Sequence, residues 1–136
     1  MKNLTKLGVA SALISVSLLF SACGDNNEFK PSSEAEKKAL ALLKEKYPNY
    51  KKIYNYEFVA KQYDAIKDGK TLQQCLNNEN QVVLLASSYE NSNYSEEQIF
   101  VTASAFIFNT QTNDIKKTQP ELFLVRDYMQ CLKSMK

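Results

Sequence analysis

The 136-residue sequence contains no His and no Trp, and it has three residues each of Gly, Pro and Cys. Because His is the commonest general base and metal ligand, its absence excludes Ser-His-Asp and Cys-His catalytic arrangements and the usual zinc sites within this chain. The few Gly residues form no Walker loop, dinucleotide-binding fingerprint or nucleophile elbow. We therefore predict a protein that is not an enzyme, with no catalytic residues, no cofactor and no metal site; the alternative is an enzyme that uses Lys or carboxylate side chains, for which no motif is present.

What the sequence does contain is the composition of one folded domain. Hydrophobic residues make up 44% and charged residues 24%, which is typical of a globular chain rather than a disordered one. A chain of this length allows one domain and leaves little room for a second, so we expect a single domain.

The first 22 residues have the organisation of an export signal. Lys2 and Lys6 give a positive start, an uncharged and largely apolar run of 14 residues covers Leu7–Phe20, and the small pair Ser21-Ala22 follows. In a helix this run would span about 21 Å. The hydrocarbon core of a bilayer is thicker, at about 30 Å. The run therefore predicts a signal peptide and not a transmembrane helix.

The end of this segment, Leu19-Phe20-Ser21-Ala22-Cys23, resembles the lipobox of bacterial lipoproteins. The resemblance implies cleavage before Cys23, diacylglyceryl attachment to the Cys23 thiol and acylation of the new amino terminus. Two or three acyl chains hold a protein stably on a membrane. The alternative is a plain secretory signal, in which Cys23 is an ordinary cysteine.

The position after Cys23 bears on which membrane receives the anchor. In diderm bacteria, an Asp directly after the acylated cysteine tends to retain lipoproteins in the inner membrane. Here that position is Gly24, with Asp25 one residue later. The resemblance thus favours the outer membrane, facing the periplasm, over the inner membrane; a host with a single membrane would carry the protein on its outer face.

Removal of residues 1–22 takes away Lys2 and Lys6 and no acidic residue, so 17 − 2 = 15 basic residues remain against 15 acidic ones. A mature chain that is neutral by this count lacks the basic excess that binding to nucleic acid needs. We therefore expect no nucleic-acid partner.

Two cysteines remain once Cys23 is assigned to the lipid. In an exported protein, Cys75 and Cys131 predict one disulfide, because two cysteines allow a single pairing. It would close a loop of 57 residues, counting both ends, and would stabilise the fold by roughly 4 kcal/mol. The alternative, a redox pair or metal site, has neither CxxC spacing nor a His to support it.

The mature chain divides into a short tether, residues 23–32, and one domain, residues 33–136. A helix is predicted from Ser33, where Ser33 and Glu36 fit a capping box, to the stop at Pro48. The alternation of apolar residues from Tyr54 to Ala60 predicts a strand with one buried face.

Further elements follow along the chain. Asp68-Gly69 predicts a turn. Thr71–Gln74 predicts the start of a short helix that places Leu72, Cys75 and Leu76 on one side. In the alternative for this region, the preceding strand continues through Tyr63–Ile66. Strands are predicted at Val82–Ala86, at Ile99–Phe108 with two apolar faces, and at Ile115–Thr118. A helix is favoured over about Glu121–Lys133, although Leu122–Val125 alone also fits a strand.

These elements predict an α+β fold in which an N-terminal and a C-terminal helix accompany an antiparallel sheet of about four strands, with one disulfide. A dense run of Tyr and Lys is the most distinctive local composition, and its candidate interaction surface comprises Tyr47, Tyr50, Lys51, Lys52 and Tyr54. Tyr gives flat amphipathic area and Lys gives charge, as glycan or acidic partners require. In the alternative, Tyr47, Tyr54 and Tyr56 pack inward and the Lys side chains are solvated.

The polar loop Asn91–Ser95 has two interpretations as well: a recognition loop or a solvated connection. Together, the acylated Cys23 and the absence of catalytic motifs predict an envelope lipoprotein that serves as a non-catalytic binding or accessory module. Its expected partners are the membrane, through the lipid, and an envelope protein or cell-wall glycan. The alternative function is a protein inhibitor of an extracellular enzyme such as lysozyme.

Overall fold

The computed structural model of the protein describes residues 27–135, and within these residues it contains five α-helices and a four-stranded antiparallel sheet. The α+β prediction is therefore confirmed. The predicted signal peptide and Cys23 lie outside the described residues.

In chain order, the elements are α1 (Glu34–Lys46), β1 (Lys52–Tyr54), α2 (Tyr56–Lys61), α3 (Gly69–Leu76), β2 (Gln81–Ser87), α4 (Glu96–Phe100), β3 (Ser104–Asn109), β4 (Asp114–Thr118), a 3-10 turn (Pro120–Leu122) and α5 (Leu124–Ser134).

The sheet is a meander in the order β1-β2-β3-β4, and every neighbouring pair is antiparallel. In the register, Leu84 of β2 pairs with Phe106 of β3, and Leu85 pairs with Tyr54 of β1. Since consecutive residues of a strand point to opposite faces, these two pairs mark the two faces of the sheet.

Helices cover both faces. On one face, the ring of Tyr47 at the end of α1 packs 4.8 Å from that of Phe106. On the other face, Tyr54 stacks on Phe58 of α2 at 5.0 Å and meets Phe100 of α4 edge-on at 5.1 Å. Burial on both faces explains why β2 and β3 are apolar throughout rather than alternating.

The first described segment, Asn27–Phe29, lies along the outer edge of β1. The amide of Phe29 donates to the Ile53 carbonyl at 2.7 Å, and the Asn27 carbonyl accepts from the amide of Asn55 at 2.8 Å. The Phe29 side chain is 4% exposed. The prediction of a tether over residues 23–32 is therefore wrong from Asn27 onward, because this segment is fixed to the domain by backbone pairing and side-chain burial.

The strand predicted from Tyr54 to Ala60 is also wrong beyond Tyr54. The Asn55 side chain accepts from the amide of Phe58 at 2.8 Å and begins α2 at Tyr56. The alternating pattern indicated a strand wrongly because α2 is buried around most of its circumference. Its apolar residues therefore fit the two-residue period of a strand as well as the 3.6-residue period of a helix. Its buried residues are Tyr56, Phe58, Val59 and Ala60.

The long strand predicted over Ile99–Phe108 is correct only from Ser104. Ile99 and Phe100 belong to α4, which begins at a capping box: Ser95 Oγ accepts from the Gln98 amide at 3.1 Å, and Gln98 Oε1 accepts from the Ser95 amide at 2.7 Å. The chain then turns and enters β3.

The remaining helices and strands agree with the sequence. Ser33 caps α1, β2 and β4 lie at the predicted places, and α5 follows the 3-10 turn. The short helix that carries Cys75 is α3, although its cap is Asp68 rather than Thr71. The alternative strand at Tyr63–Ile66 does not form.

The predicted disulfide is confirmed: Cys75 of α3 and Cys131 of α5 are joined, with 5.7 Å between their Cα atoms. It connects two helices that also pack on each other. Among residues 27–135, no helix is both long and apolar enough to span a bilayer.

Candidate functional site

The five residues of the candidate interaction surface do not form one patch. Tyr54 is 2% exposed and belongs to the core, so its assignment to a surface is wrong. Tyr47 and Tyr50 are half-buried, and both pack against Phe106, with ring centroids 4.8 Å and 5.0 Å away. The inward packing arises because the turn after α1 lays these rings on the sheet.

Tyr50 keeps a polar contact at its outer end. The Lys117 ammonium lies 5.4 Å from the Tyr50 ring centroid and donates to its hydroxyl at 3.2 Å. This hydrogen bond from Lys117 lowers the pKa of Tyr50. The pair joins the turn after α1 to β4 and serves the fold.

Lys51 and Lys52 have a different environment. They line a groove of about 470 Å³ together with residues of the polar loop that follows β2. We call this the Lys51–Tyr94 groove, and its walls are formed by Lys51, Lys52, Glu90, Asn91, Ser92 and Tyr94, with Glu96 and Ile99 of α4. Two segments that the sequence singled out separately thus meet at one site.

The groove carries balanced charge. Lys52 Nζ lies 3.4 Å from Glu96 Oε1, and the two side chains are 34% and 29% exposed, which makes this ion pair half-buried. Lys51 and Glu90 are exposed at the rim. Two lysines therefore face two glutamates, and the site has no net formal charge.

The loop wall of the groove is ordered by its own hydrogen bonds. The Asn91 side chain donates to the Tyr89 hydroxyl at 3.1 Å and accepts from the amide of Asn93 at 2.9 Å. The Asn91 carbonyl accepts from the amide of Tyr94 at 3.1 Å. These bonds hold the loop in a defined conformation, so the side chains that it presents are positioned in advance.

Two aromatic rings stand out on this loop. Tyr89 and Tyr94 are 40% and 46% exposed, and their ring centroids are 5.4 Å apart at an angle of 55°. The neighbouring Tyr89 hydroxyl raises the pKa of Tyr94. Exposed aromatic rings held in place by each other give a flat apolar surface with polar edges.

The groove adjoins the place where the described chain begins. A second depression of about 170 Å³ is lined by Asn27 and Glu28, and it shares Lys51, Lys52 and Glu96 with the groove. The docked N-terminal segment is therefore a direct neighbour of the Lys51–Tyr94 groove.

A buried carboxylate, that of Glu36, lies between α1 and α3. It is 4% exposed, and its two oxygens accept four hydrogen bonds: from the Ser32 amide and hydroxyl at 2.8 Å and 3.0 Å, from Gln73 Nε2 at 2.7 Å and from Asn77 Nδ2 at 2.9 Å. Burial alone would raise the pKa of Glu36, but these donors together outweigh it, and the pKa is lowered. Such an arrangement holds an ionised, fully bonded carboxylate that links α1 to α3.

The network around Glu36 continues into the sheet. Asn77 also donates to the Tyr56 hydroxyl at 2.8 Å and accepts from the Val83 amide at 2.9 Å, while the Tyr56 hydroxyl donates to the Val83 carbonyl at 2.8 Å. Because β1 pairs with β2 only as far as Leu85, these side chains satisfy the edge of β2 that faces away from β3, where pairing with β1 has ended. The network is thus structural.

Within residues 27–135, no three His, Cys, Asp or Glu side chains come together as a metal site would require. Comparisons of the chain with protein-family models, with curated proteins and with solved structures gave no match.

The predicted recognition loop Asn91–Ser95 already contains Tyr94, but sequence reasoning missed three other residues at the site: Tyr89, Glu90 and Glu96. A signal was present for Glu96, because Ser95 and Gln98 fit the capping-box spacing and place it in the first turn of a helix. Nothing local to the sequence indicated that the loop after β2 would fold against Lys51, since this proximity depends on the pairing of β1 with β2.

Proposed function

We propose that the protein is a lipid-anchored envelope protein whose domain binds a partner non-catalytically through the Lys51–Tyr94 groove, close to the membrane that carries it. Cys23 is the anchor in this proposal, and the outer membrane is the favoured location. The function is that of a binding or accessory module.

The docked segment Asn27–Phe29 is the observation that carries the proposal. From Cys23 to Asn27 there are four residue steps, which span at most about 14 Å when extended. An acylated Cys23 would therefore hold the groove, which adjoins Asn27, within a short distance of the lipid headgroups. Had the tether extended to Ser32, the domain would have no such fixed relation to the membrane.

A binding role agrees with the chemistry of the groove. Its polar groups include an ion pair, an amide and a hydroxyl, and its loop is ordered by internal hydrogen bonds, as in a preformed recognition surface. The buried carboxylate of Glu36 is fully occupied by structural donors.

The anchor is tested by expressing the full chain and its Cys23→Ser variant in a bacterial host and separating membranes from soluble material. We expect the parent protein in the membrane fraction, with a mass increase that corresponds to acylation, and the variant in the soluble periplasmic fraction. Lys51→Ala, which leaves the lipobox intact, is the control and remains with the membrane. Equal distribution of parent and Cys23→Ser would contradict the anchor.

The binding site is tested separately by crosslinking in cells. A photo-activated side chain is placed at Ser92, in the groove, and in a matched strain at Gln130, which is exposed on α5. We expect discrete adducts from position 92 that Gln130 does not give. Identical adducts from both positions, or none from position 92, would overturn the groove as the binding site while leaving the anchor intact.

A further inference from the structure

We propose that the Lys51–Tyr94 groove binds an uncharged saccharide, with a sugar ring lying on the face of Tyr94. The inference rests on the proposed function, since it names the ligand class of the same groove.

The aromatic platform is the first argument. Tyr94 is 46% exposed, and Tyr89 supports it at 5.4 Å. A sugar ring has an apolar face of C–H groups, which an aromatic face covers without demanding hydrogen bonds there. A tyrosine held by a neighbouring ring loses little conformational entropy when it does so. The platform is therefore suited to a flat, amphipathic ligand.

The polar lining is the second argument. Asn91 and Ser92 stand beside the platform, with Lys51 at the rim, and they supply an amide, a hydroxyl and an ammonium group. Sugar hydroxyl and acetamido groups both donate and accept hydrogen bonds, so a mixed set of donors and acceptors around an aromatic face matches them.

Charge is the third argument, and it selects against charged ligands. Lys52 is already paired with Glu96 at 3.4 Å, and Glu90 offsets Lys51. A phosphate or an acidic peptide would meet two carboxylates, and a cationic ligand would meet two ammonium groups. An uncharged ligand avoids both repulsions, and its affinity does not depend on screening by salt.

Size and position agree with this ligand. The groove volume of about 470 Å³ falls within the roughly 300–1,000 Å³ of small-molecule sites. The depression lined by Asn27 adjoins it and shares Lys51 and Lys52, which gives a continuous path for a chain longer than one sugar.

The test uses the full-length protein purified in a detergent without a sugar headgroup, titrated with the tetrasaccharide of β-1,4-linked N-acetylglucosamine and, in parallel, with maltotetraose. We expect saturable binding of at least one of them with a Kd of about 1 mM or tighter. Calorimetry measures the affinity, and NMR shifts of the Tyr94 ring report where the sugar binds. The Kd should change less than twofold between low and high salt.

Three variants locate the site. Tyr94→Ala should weaken binding about tenfold, the value of a stacking contact of roughly 1.4 kcal/mol, whereas Tyr94→Phe, which keeps the ring, should bind within threefold of the parent. Leu122→Ala changes an apolar side chain that is 64% exposed outside the groove, and it should leave the Kd unchanged.

Two results would overturn the saccharide: no binding of either tetrasaccharide at 10 mM or binding that Tyr94→Ala leaves unchanged. If crosslinking from position 92 captures a protein while neither sugar binds, the groove remains a binding site and the ligand class is wrong. If position 92 gives no adducts and the sugars do not bind, the groove fails as a binding site as well, and the anchor is decided by the fractionation of Cys23→Ser alone.

Discussion

Gly69 lies directly against the backbone of Glu57: a β-carbon at Gly69 would come within 2.6 Å of the Glu57 Cα atom and of the Tyr56 carbonyl carbon. This close approach lets α3 begin against the start of α2. Gly has the lowest helix propensity of the residues other than Pro, so the presence of Gly69 in the first turn of α3 reflects the space available and not helix propensity.

Gly69→Ala is therefore expected to lower the free energy of unfolding by about 1–3 kcal/mol, because two backbones must separate to admit one methyl group. The measurement is urea unfolding followed by circular dichroism. Lys70→Ala changes the next residue of α3, whose side chain is exposed, and should remain within about 0.5 kcal/mol of the parent. A Gly69→Ala protein as stable as the parent would show that α2 and α3 are not in this contact.

The Glu36 network gives a second prediction. Replacing Glu36 by Gln puts an amide donor where Ser32, Gln73 and Asn77 already donate, so at least one buried donor loses its acceptor. We expect a loss of about 1–3 kcal/mol at pH 7. Glu34→Gln, in the same helical turn but with the Glu34 side chain 82% exposed, is the control and should cost less than about 0.5 kcal/mol.

The difference between the parent and Glu36→Gln should depend on pH. The folded-state pKa of Glu36 is lowered below its usual value of 4.5, so its contribution to stability is complete above that value and is lost as the pH falls through the lower folded-state pKa. Unfolding curves measured from pH 7 downward should show a constant gap to about pH 5 and a narrowing gap below it. A gap that widens in acid would contradict the assignment of an ionised Glu36.

These elements also show which parts of the fold were accessible from sequence. The helix at Ser33, the strand at Val82–Ala86 and the disulfide were predicted correctly, because a cap, an apolar run and cysteine arithmetic are local or countable signals. The strand expected from Tyr54 to Ala60 failed because Asn55 starts a helix whose exposed face is narrow, which removes the usual 3.6-residue polar stripe.

Only part of the candidate site could be predicted from the sequence, and the reason is related. Composition identifies Lys51 and Lys52, but it also places Tyr54 on the surface, although Tyr54 lies two residues after Lys52 on the same side of β1 and belongs to the core. Whether a tyrosine near a lysine pair faces solvent depends on what covers that side of the sheet. Here Phe58 and Phe100 cover it, and both come from segments that the sequence assigned to strands.

The disulfide supports a fourth prediction. The double variant Cys75→Ser, Cys131→Ser should lose roughly 4 kcal/mol, because the unfolded chain regains the freedom that a 57-residue loop removes. Guanidinium unfolding without reductant measures the loss. Addition of reductant should shift the parent protein to the same midpoint and leave the double variant unchanged. A parent protein indifferent to reductant would show that the bond contributes nothing to stability.

Phe29 connects the fold to the proposed anchor and gives the last prediction. Its side chain is 4% exposed and meets the Tyr56 ring edge-on at 5.7 Å, so Phe29→Ala removes the main apolar contact of the docked segment, at a cost of about 3 kcal/mol. Because the segment is held otherwise by backbone bonds to β1, we expect it to detach locally while the rest of the domain stays folded.

Hydrogen exchange measures this directly: the amide of Asn55, which donates to the Asn27 carbonyl at 2.8 Å, should lose its protection, whereas the amide of Val83 inside the sheet should keep it.

Lys30→Ala is the control, since Lys30 is exposed beside Phe29 and should leave the Asn55 amide protected. In the anchored protein, the path from Cys23 to the first fixed residue of the domain is four residue steps when Asn27 is docked and about ten, as far as Ser33, when the segment detaches, which raises the maximum reach from about 14 Å to about 35 Å. Crosslinking from position 92 should then lose partners that lie at the membrane surface. Protection of Asn55 that survives Phe29→Ala would mean that backbone pairing alone holds the segment, and the short reach would not depend on Phe29.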